Sequence, residues 1–232
     1  MKEKIMVWCV LMVIASPALA GVGFSRNRMV YPEGSQSISL KATNSGDSPY
    51  LIQAKVTNDT DGRQPAPFLV TPPLLRLDGQ SEAMMRIMMT GANLPRDRES
   101  VFYFSGRAIP STAPAEAEPG KLGASVSLSM RSVMKVFYRP KGLSTAPEDS
   151  PEKMTFSRAA KGVRVKNPTP YYQSFAFLTF DGQEQDLDSQ PSMVPPFGEL
   201  VFPASDAVKS VSWRVMNDYG GTTELKAQHV QG

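Results

Sequence analysis

Short runs in which apolar and polar residues alternate recur along the chain, and no window of eleven or more residues has the spacing of an amphipathic helix. Alternation with a period of two is the pattern of a strand with one buried face. Turns rich in proline and glycine separate the runs, which is typical of a β-sandwich. We therefore predict an all-β fold, with strands at 38–42, 50–56, 83–89, 101–104, 154–156, 163–165, 175–177 and 211–215.

The first residues have the pattern of a secretory signal peptide. Lys2 and Lys4 precede an apolar run from Ile5 to Ala15, which is too short to span a bilayer. Ala18-Leu19-Ala20 fits a cleavage site that requires small residues. We predict that residues 1–20 are removed and that the mature protein acts outside the cytoplasm, without stable membrane insertion.

The mature chain is expected to be stabilised by burial alone. Cys9 is the single cysteine and lies in the predicted signal peptide, so disulfides are excluded. The formal net charge of +3 falls to about +2 when Lys2, Glu3 and Lys4 are removed. A charge this small argues against nucleic acid or an acidic membrane surface as a partner.

A polar, proline-rich stretch between Pro140 and Glu152 divides the chain. It predicts two domains, at 21–143 and 144–232, each of a size that suits an immunoglobulin-like sandwich. The stretch from Pro110 to Gly123 has too little apolar surface to repay ordering. We predict that it is a mobile loop before the last strand of the first domain.

Residue types that carry catalysis or bind metals are scarce. His229 is the sole histidine and lies near the C-terminus, where chains usually fray. Without a cysteine or a histidine cluster, neither a Cys/His nucleophile nor a zinc site can form. The methionines of 84–89 would alternate between two faces of a strand, which favours core packing over copper binding. We predict a protein that is not an enzyme and needs no metal or cofactor.

An apolar row lies near the middle of the chain, where Val126, Leu128 and Met130 alternate with serines. A strand with this pattern shows one apolar face, and a predicted loop before it would leave that face free for another protein. Two cations, Arg28 and Lys135, lie within apolar strand segments. Their positions fit either solvated outward faces or a pair that binds one anion.

Several motifs resemble those of periplasmic pilus-assembly chaperones, the PapD-like family. The segment from Leu94 to Phe104, followed by Ile109-Pro110, is similar to the family signature. Other motifs follow in the family's order and extend over essentially the whole mature chain. These are Arg28-Met29-Val30-Tyr31, Thr71-Pro72-Pro73, Lys135-Val136-Phe137-Tyr138-Arg139-Pro140, Asn167-Pro168-Thr169-Pro170-Tyr171-Tyr172 and Asn217-Asp218-Tyr219-Gly220-Gly221.

The resemblance implies two immunoglobulin-like β-sandwich domains, arranged as an L or boomerang with a cleft between them. It implies that Val126, Leu128 and Met130 belong to a donor strand that completes an unfinished pilin subunit. Their apolar side chains, which enter the groove of the subunit, are called the teeth of this strand. The resemblance further implies that Arg28 and Lys135 bind the terminal carboxylate of that subunit.

The same resemblance implies that Glu99, Arg139 and Asp218 form an ionic trio that sets the angle between the domains. The implied partners are pilin or fimbrial subunits, which the chaperone meets in the periplasm, and an outer-membrane usher to which it delivers them. Self-association of the free protein stays open, because exposed donor strands can pair with each other.

Two features depart from the family pattern. Ser105-Gly106 follows Phe104 where the family has asparagine and an aliphatic residue. The loop before Val126 is longer than in the shortest members, yet it lacks the cysteine pair of the long-loop subclass. We predict the short-loop subclass.

Two other classes of secreted sandwich remain as alternatives. One is a pilin or adhesin, although the two domains and the lack of cysteine in the mature chain speak against it. The other is a carbohydrate-binding sandwich that uses exposed aromatic residues such as Tyr171 and Tyr172.

Overall fold

The computed structural model describes residues 21–111, 128–205 and 207–231. The predicted signal peptide and the predicted tooth Val126 lie outside the described residues, as does most of the predicted loop from Pro110 to Gly123. Within the described ranges the chain forms strands and one short 3₁₀ helix, Pro147–Lys153. Each of the predicted strands is present, and only Met154 falls just outside its strand.

The first half of the chain folds as two sheets packed face to face. Their strand orders are β1-β3-β7-β5 and β2-β9-β8-β4-β6, and all pairs are antiparallel except β2 with β9. This is the layer arrangement of an immunoglobulin-like sandwich. The strands are β1 (Val22–Phe24), β2 (Arg28–Pro32), β3 (Ile38–Asn44), β4 (Tyr50–Thr57), β5 (Phe68–Thr71), β6 (Leu74–Leu77), β7 (Ser81–Met89), β8 (Ser100–Pro110) and β9 (Met130–Arg139).

The core of this domain consists of the inward-facing residues of both sheets. Leu40 and Met85 from one sheet are fully buried with Ile52 and Phe104 from the other. The neighbouring Met84 is exposed, so the methionines of β7 divide between the two faces as the alternation predicts.

The second half forms another sandwich with a separate core, which includes Phe156, Val165, Leu178 and Trp213. Its sheets have the orders β10-β11-β15 and β13-β12-β16-β17, and β14 also pairs with β12. The strands are β10 (Thr155–Ala159), β11 (Gly162–Lys166), β12 (Gln173–Phe180), β13 (Gln183–Glu184), β14 (Met193–Val194), β15 (Glu199–Pro203), β16 (Ser210–Val215) and β17 (Lys226–His229).

The connection between the sandwiches is more ordered than its polar sequence suggests. The 3₁₀ helix buries Ser150, whose hydroxyl donates to the carbonyl oxygen of Pro147 and accepts from the Gln173 amide, at 2.6 and 2.8 Å. The Tyr171 hydroxyl donates to the Thr145 carbonyl oxygen at 2.7 Å. These bonds attach the connection to the second domain.

The C-terminal segment does not fray as expected. His229 is part of β17, where it lies opposite Ser210 of β16. The ladder of hydrogen bonds to β16 compensates for the entropy lost in ordering this segment. Among the described residues, no helix is long and apolar enough to cross a membrane.

Candidate functional site

Strand β9 changes its pairing halfway along its length. Its whole length except Arg139 pairs with β8, but β2 runs beside it only from Lys135 to Arg139. The stretch Met130–Met134, which we call the edge half, therefore has a sheet partner on one side among the described residues. We call Lys135–Arg139 the paired half. An edge with free main-chain groups can accept a further strand.

The edge half also presents apolar side chains to solvent. Along one face of β9 the exposed fraction is 0% at Val136, 7% at Met134 and 56% at Met130, and it reaches 75% at Leu128 just before the strand. The core thus ends partway along the strand while the apolar row continues. Of the three predicted teeth, Leu128 and Met130 are exposed together, and Val126 lies outside the described residues.

Arg28 and Lys135 are placed side by side at the start of the paired half. They are direct partners in the parallel ladder between β2 and β9. Neighbouring strands are about 4.8 Å apart, and directly opposed side chains lie on the same face. The opposite face carries Met29 and Val136, which are fully buried in the core. The alternation of both strands thus directs the two cations away from the core.

Arg28 is a buried cation with few partners. Its Nη1 donates to the Met216 carbonyl oxygen of the second domain at 2.8 Å, and its guanidinium lies 4.4 Å from the centre of the Phe137 ring. Its Nε is buried without a hydrogen-bond partner among the described residues. Burial lowers the pKa of Arg28, and attraction to Asp218 and Glu99 opposes that shift.

Lys135 is half-buried, and its ammonium group forms no hydrogen bond or ion pair within the described parts of the chain. Burial and then repulsion from Arg28 lower the pKa of Lys135. Two adjacent cations with this placement have the chemistry to bind one anion between them.

Glu99, Arg139 and Asp218 form a connected ion-pair trio. Arg139 Nε donates to Glu99 Oε1 at 2.8 Å, and its two terminal nitrogens donate to the Asp218 carboxylate at 2.6 and 2.7 Å. Arg139 ends β9, whereas Asp218 follows β16 in the second domain. The other Glu99 oxygen accepts the backbone N–H of Tyr172 at 2.9 Å, which adds another link between the domains.

The pKa values of the two carboxylates in the trio are shifted in opposite directions. Burial raises the pKa of Glu99, and Arg139 offsets only part of that shift. Burial acts on Asp218 in the same direction, but the hydrogen bonds and charge of Arg139 outweigh it and hold the pKa of Asp218 below its ordinary value. The partners also raise the pKa of Arg139 against the effect of burial. Together with Arg28 and Lys135, the site has three cations and two carboxylates.

A cleft of about 390 Å³ lies between the two sandwiches, and Arg28, the trio and Tyr219 line it. Tyr171 is buried and bonded to Thr145, while the Tyr172 ring packs 5.6 Å from that of Phe137. The expectation that Tyr171 and Tyr172 are exposed is therefore wrong, because the domain interface covers them. Among the described residues, no cluster of histidine, cysteine or carboxylates is arranged to hold a metal ion.

Sequence reasoning missed the apolar centre of this interface. Phe137 is fully buried but belongs to neither core, because it lies between Arg28 and Tyr172. Asn27, also missed, donates from Nδ2 to the Gly220 carbonyl oxygen at 3.1 Å across the domains. The signal for Phe137 was its outward position between Lys135 and Arg139, since an aromatic residue in a charged row indicates a covered surface.

Two family models match nearly all of the described chain. Residues 21–144 match the N-terminal domain of PapD, a pili and flagellar-assembly chaperone. Residues 149–227 match the C-terminal domain of the pili assembly chaperone PapD.

Curated relatives are similar over most of their length. The probable fimbrial chaperone protein ElfD of Escherichia coli O157:H7 is 39% identical over 88% of this chain and 84% of its own. The chaperone protein FimC of Escherichia coli O6:H1 is 38% identical over 91% and 86%, and HifB of Haemophilus influenzae is 37% identical over 90% and 88%.

Solved chaperone structures have the same two-domain fold. A chain from the Salmonella enterica complex of the SafA pilin with the SafB chaperone is 30% identical, covers 93% of this chain and 99% of its own, and has a TM-score of 0.79. The Escherichia coli chaperone DraB is 36% identical over 90% and 96%, with a TM-score of 0.79. The predicted fold class is confirmed, and the chain belongs to the PapD family of pilus-assembly chaperones.

Proposed function

We propose that this chaperone binds fimbrial subunits in the periplasm by lending them the edge half of β9 and delivers them to an outer-membrane usher. The observation that carries the proposal is the edge half, which has β8 on one side and no strand on the other among the described residues, exposes Met130 and ends at the adjacent cations Arg28 and Lys135. The solved complex of a pilin with its chaperone supports this role by analogy.

Main-chain hydrogen bonds and apolar side chains contribute to binding in different ways. Main-chain hydrogen bonds to the free edge do not depend on the client's sequence, whereas apolar teeth select a groove. Each of Leu128 and Met130 contributes roughly 1.5–3 kcal/mol when it is fully buried by a partner. We expect Val126 to continue the same row.

The cations fix the register of the added strand. Arg28 and Lys135 bind the terminal carboxylate of the subunit, which their two adjacent positive charges favour. A slip of one residue would turn the apolar teeth away from the groove. The trio of Glu99, Arg139 and Asp218 holds the second domain at the angle that forms the cleft.

We also propose how the chain is exported, processed and divided into domains. Residues 1–20 direct export and are removed near Ala20, and residues 21–143 and 144–232 are the two domains. The protein acts by binding alone, without catalysis, and the lack of the cysteine pair of the long-loop subclass supports the short-loop subclass.

Co-expression with the cognate subunit in the periplasm tests the proposal. We expect a one-to-one complex by size-exclusion chromatography with light scattering, and slower amide exchange at 130–134 in that complex. A subunit whose groove is already filled by a strand fused to its own chain is the matched control and should not bind. If the filled subunit binds equally well, or if amides at 130–134 exchange as in the free protein, strand donation is wrong.

A further inference from the structure

The departure from the family pattern at Ser105 coincides with a contact to the edge half. Ser105 lies in β8 and is buried at 4% exposure, with its side chain on the face away from the core. Its Oγ accepts a hydrogen bond from Arg131 Nε at 2.9 Å. Arg131 lies opposite Arg107 in the ladder, so the contact to Ser105 runs diagonally across the strand pair.

The Arg131 guanidinium reaches a second acceptor, since its Nη2 also donates to the Thr60 carbonyl oxygen. Thr60 belongs to the loop after β4, and several hydrogen bonds hold this loop in place. The Asp59 carboxylate accepts the backbone N–H groups of Arg63 and Gln64, at 3.0 and 2.7 Å. Lys55 Nζ donates to the Gly62 carbonyl oxygen at 2.7 Å. Arg131 is thus attached to a fixed point of the domain.

This attachment lies where the sheet gives the least support. Strand β2 does not reach the edge half, so β8 alone pairs with Met130–Met134 among the described residues. Arg131 spans from β9 over β8 to the loop that follows β4, across three adjacent positions of the sheet. One side chain thus adds lateral contacts that a second strand would otherwise provide.

We propose that Arg131 is a positioning residue that holds the edge half extended on β8 while the chaperone is free. The contacts with Ser105 and Thr60 keep the edge half in place on β8 and Met130 on the apolar face before any client arrives. A preorganised strand loses less entropy on binding, so the client associates faster. The consequence for clients depends on the function proposed above, but the positioning itself belongs to the free protein.

Amide hydrogen exchange of the free protein tests this inference. In Arg131→Ala we expect amides at 130–134 to exchange about tenfold faster, because two side-chain hydrogen bonds are lost, while those at 135–139 stay unchanged. Ser105→Ala keeps the charge of Arg131 and should raise the exchange rate of the same amides about threefold. Arg107→Ala is the matched control and should leave exchange unchanged. Ser105→Ala also serves as the test if Arg131→Ala fails to fold.

Unchanged exchange in the Ser105 and Arg131 variants would overturn the inference. So would an equal increase in Arg107→Ala, or an equal increase in both halves of β9, which would indicate a general loss of stability. Association with the cognate subunit should slow about threefold in Arg131→Ala, with the dissociation rate nearly unchanged. If exchange rises as expected but the wild-type protein binds no subunit, the positioning role stands and the proposed function fails.

Discussion

The two halves of β9 show how one strand serves both the fold and the partner. The paired half has β8 on one side and β2 on the other, and Val136 and Phe137 within it are fully buried. The edge half has β8 alone among the described residues, and its Met130 is 56% exposed. Both halves alternate in the same way, so the difference comes from their neighbours and not from strand propensity.

The difference shows which part of β9 is used by the fold and which part is left for a client. An unpaired, apolar edge is normally an aggregation hazard that proteins protect. Here the open edge ends at two cations and is braced by Arg131. The arrangement favours a partner that carries both a matching strand and a carboxylate.

The largest expected effect comes from the cations at the boundary between the halves. Arg28→Ala or Lys135→Ala should weaken binding of the cognate subunit by about 2–5 kcal/mol, since each leaves a charge of the complex poorly paired. Isothermal titration calorimetry measures the change. Arg26→Ala removes an exposed arginine two residues from Arg28 and is the control. Affinities of both cleft variants within threefold of that control would exclude a carboxylate clamp.

Shortening a tooth tests the edge half directly. Met130→Ala should weaken subunit binding by about 1.5–3 kcal/mol, because the thioether side chain is buried only in the complex. The melting temperature of the free protein should stay unchanged, since Met130 is already exposed. Val133→Ala, on the opposite face of the same strand, should change affinity by about 0.5 kcal/mol or less. Equal losses in the two variants would contradict the assigned face.

The core beneath the edge half is closed by an aromatic ring. A Cβ atom at Gly106 would lie 2.5 Å from Phe24 Cζ, so Gly106→Ala should lower the free energy of unfolding by about 1–3 kcal/mol. Urea denaturation measures this loss. Phe24→Leu should restore part of it by freeing space. Gly23→Ala is the control, because no atom lies within 4 Å of its Cβ position; a loss as large as that of Gly106→Ala would rule out the steric explanation.

The smallest effect concerns pH and the trio that ends the paired half. The pKa of Asp218 is lowered by folding, so its stabilisation is present above the ordinary aspartate value and is lost as pH falls through the folded-state pKa. The pKa of Glu99 is raised, so its contribution to stability grows as pH falls through its folded-state pKa towards the ordinary glutamate value. Asp218→Asn should flatten the acid loss of melting temperature, and Glu99→Gln should remove the opposing slope at higher pH.

Thermal melts across acidic pH measure both slopes. Asp61→Asn changes an exposed carboxylate in the loop between β4 and β5, and it should follow the wild-type profile. An unaltered acid slope in Asp218→Asn would mean that the trio does not link protonation to folding.

Local patterns predicted much of this molecule. Alternation located β3, β4, β7, β8, β10, β11, β12 and β16, because side chains of a strand point in turn to opposite faces. The motif match selected Glu99, Arg139 and Asp218, which the structure brings into contact. The roles of these residues and of the cations stay predictions until the binding experiments are done.

Other features needed the three-dimensional fold. Alternation showed that Lys135 and Phe137 share a face, but not that a second domain covers Phe137. The carbohydrate-binding alternative required Tyr171 and Tyr172 to be exposed, whereas the interface buries the first and packs the second. Alternation also gave no reason for Ser105, whose partner Arg131 is on another strand.

By itself the sequence determined eight strands of the two domains and which face of each is apolar, because both follow from residues two positions apart. Only the tertiary structure decided that β2 begins at Arg28, beside Lys135, and so leaves one side of the edge half without a strand among the described residues. That outcome depends on which distant strands become neighbours, and neighbour choice is set by packing of the whole domain. The physical reason is range: periodicity is a local property, whereas pairing joins residues more than a hundred positions apart.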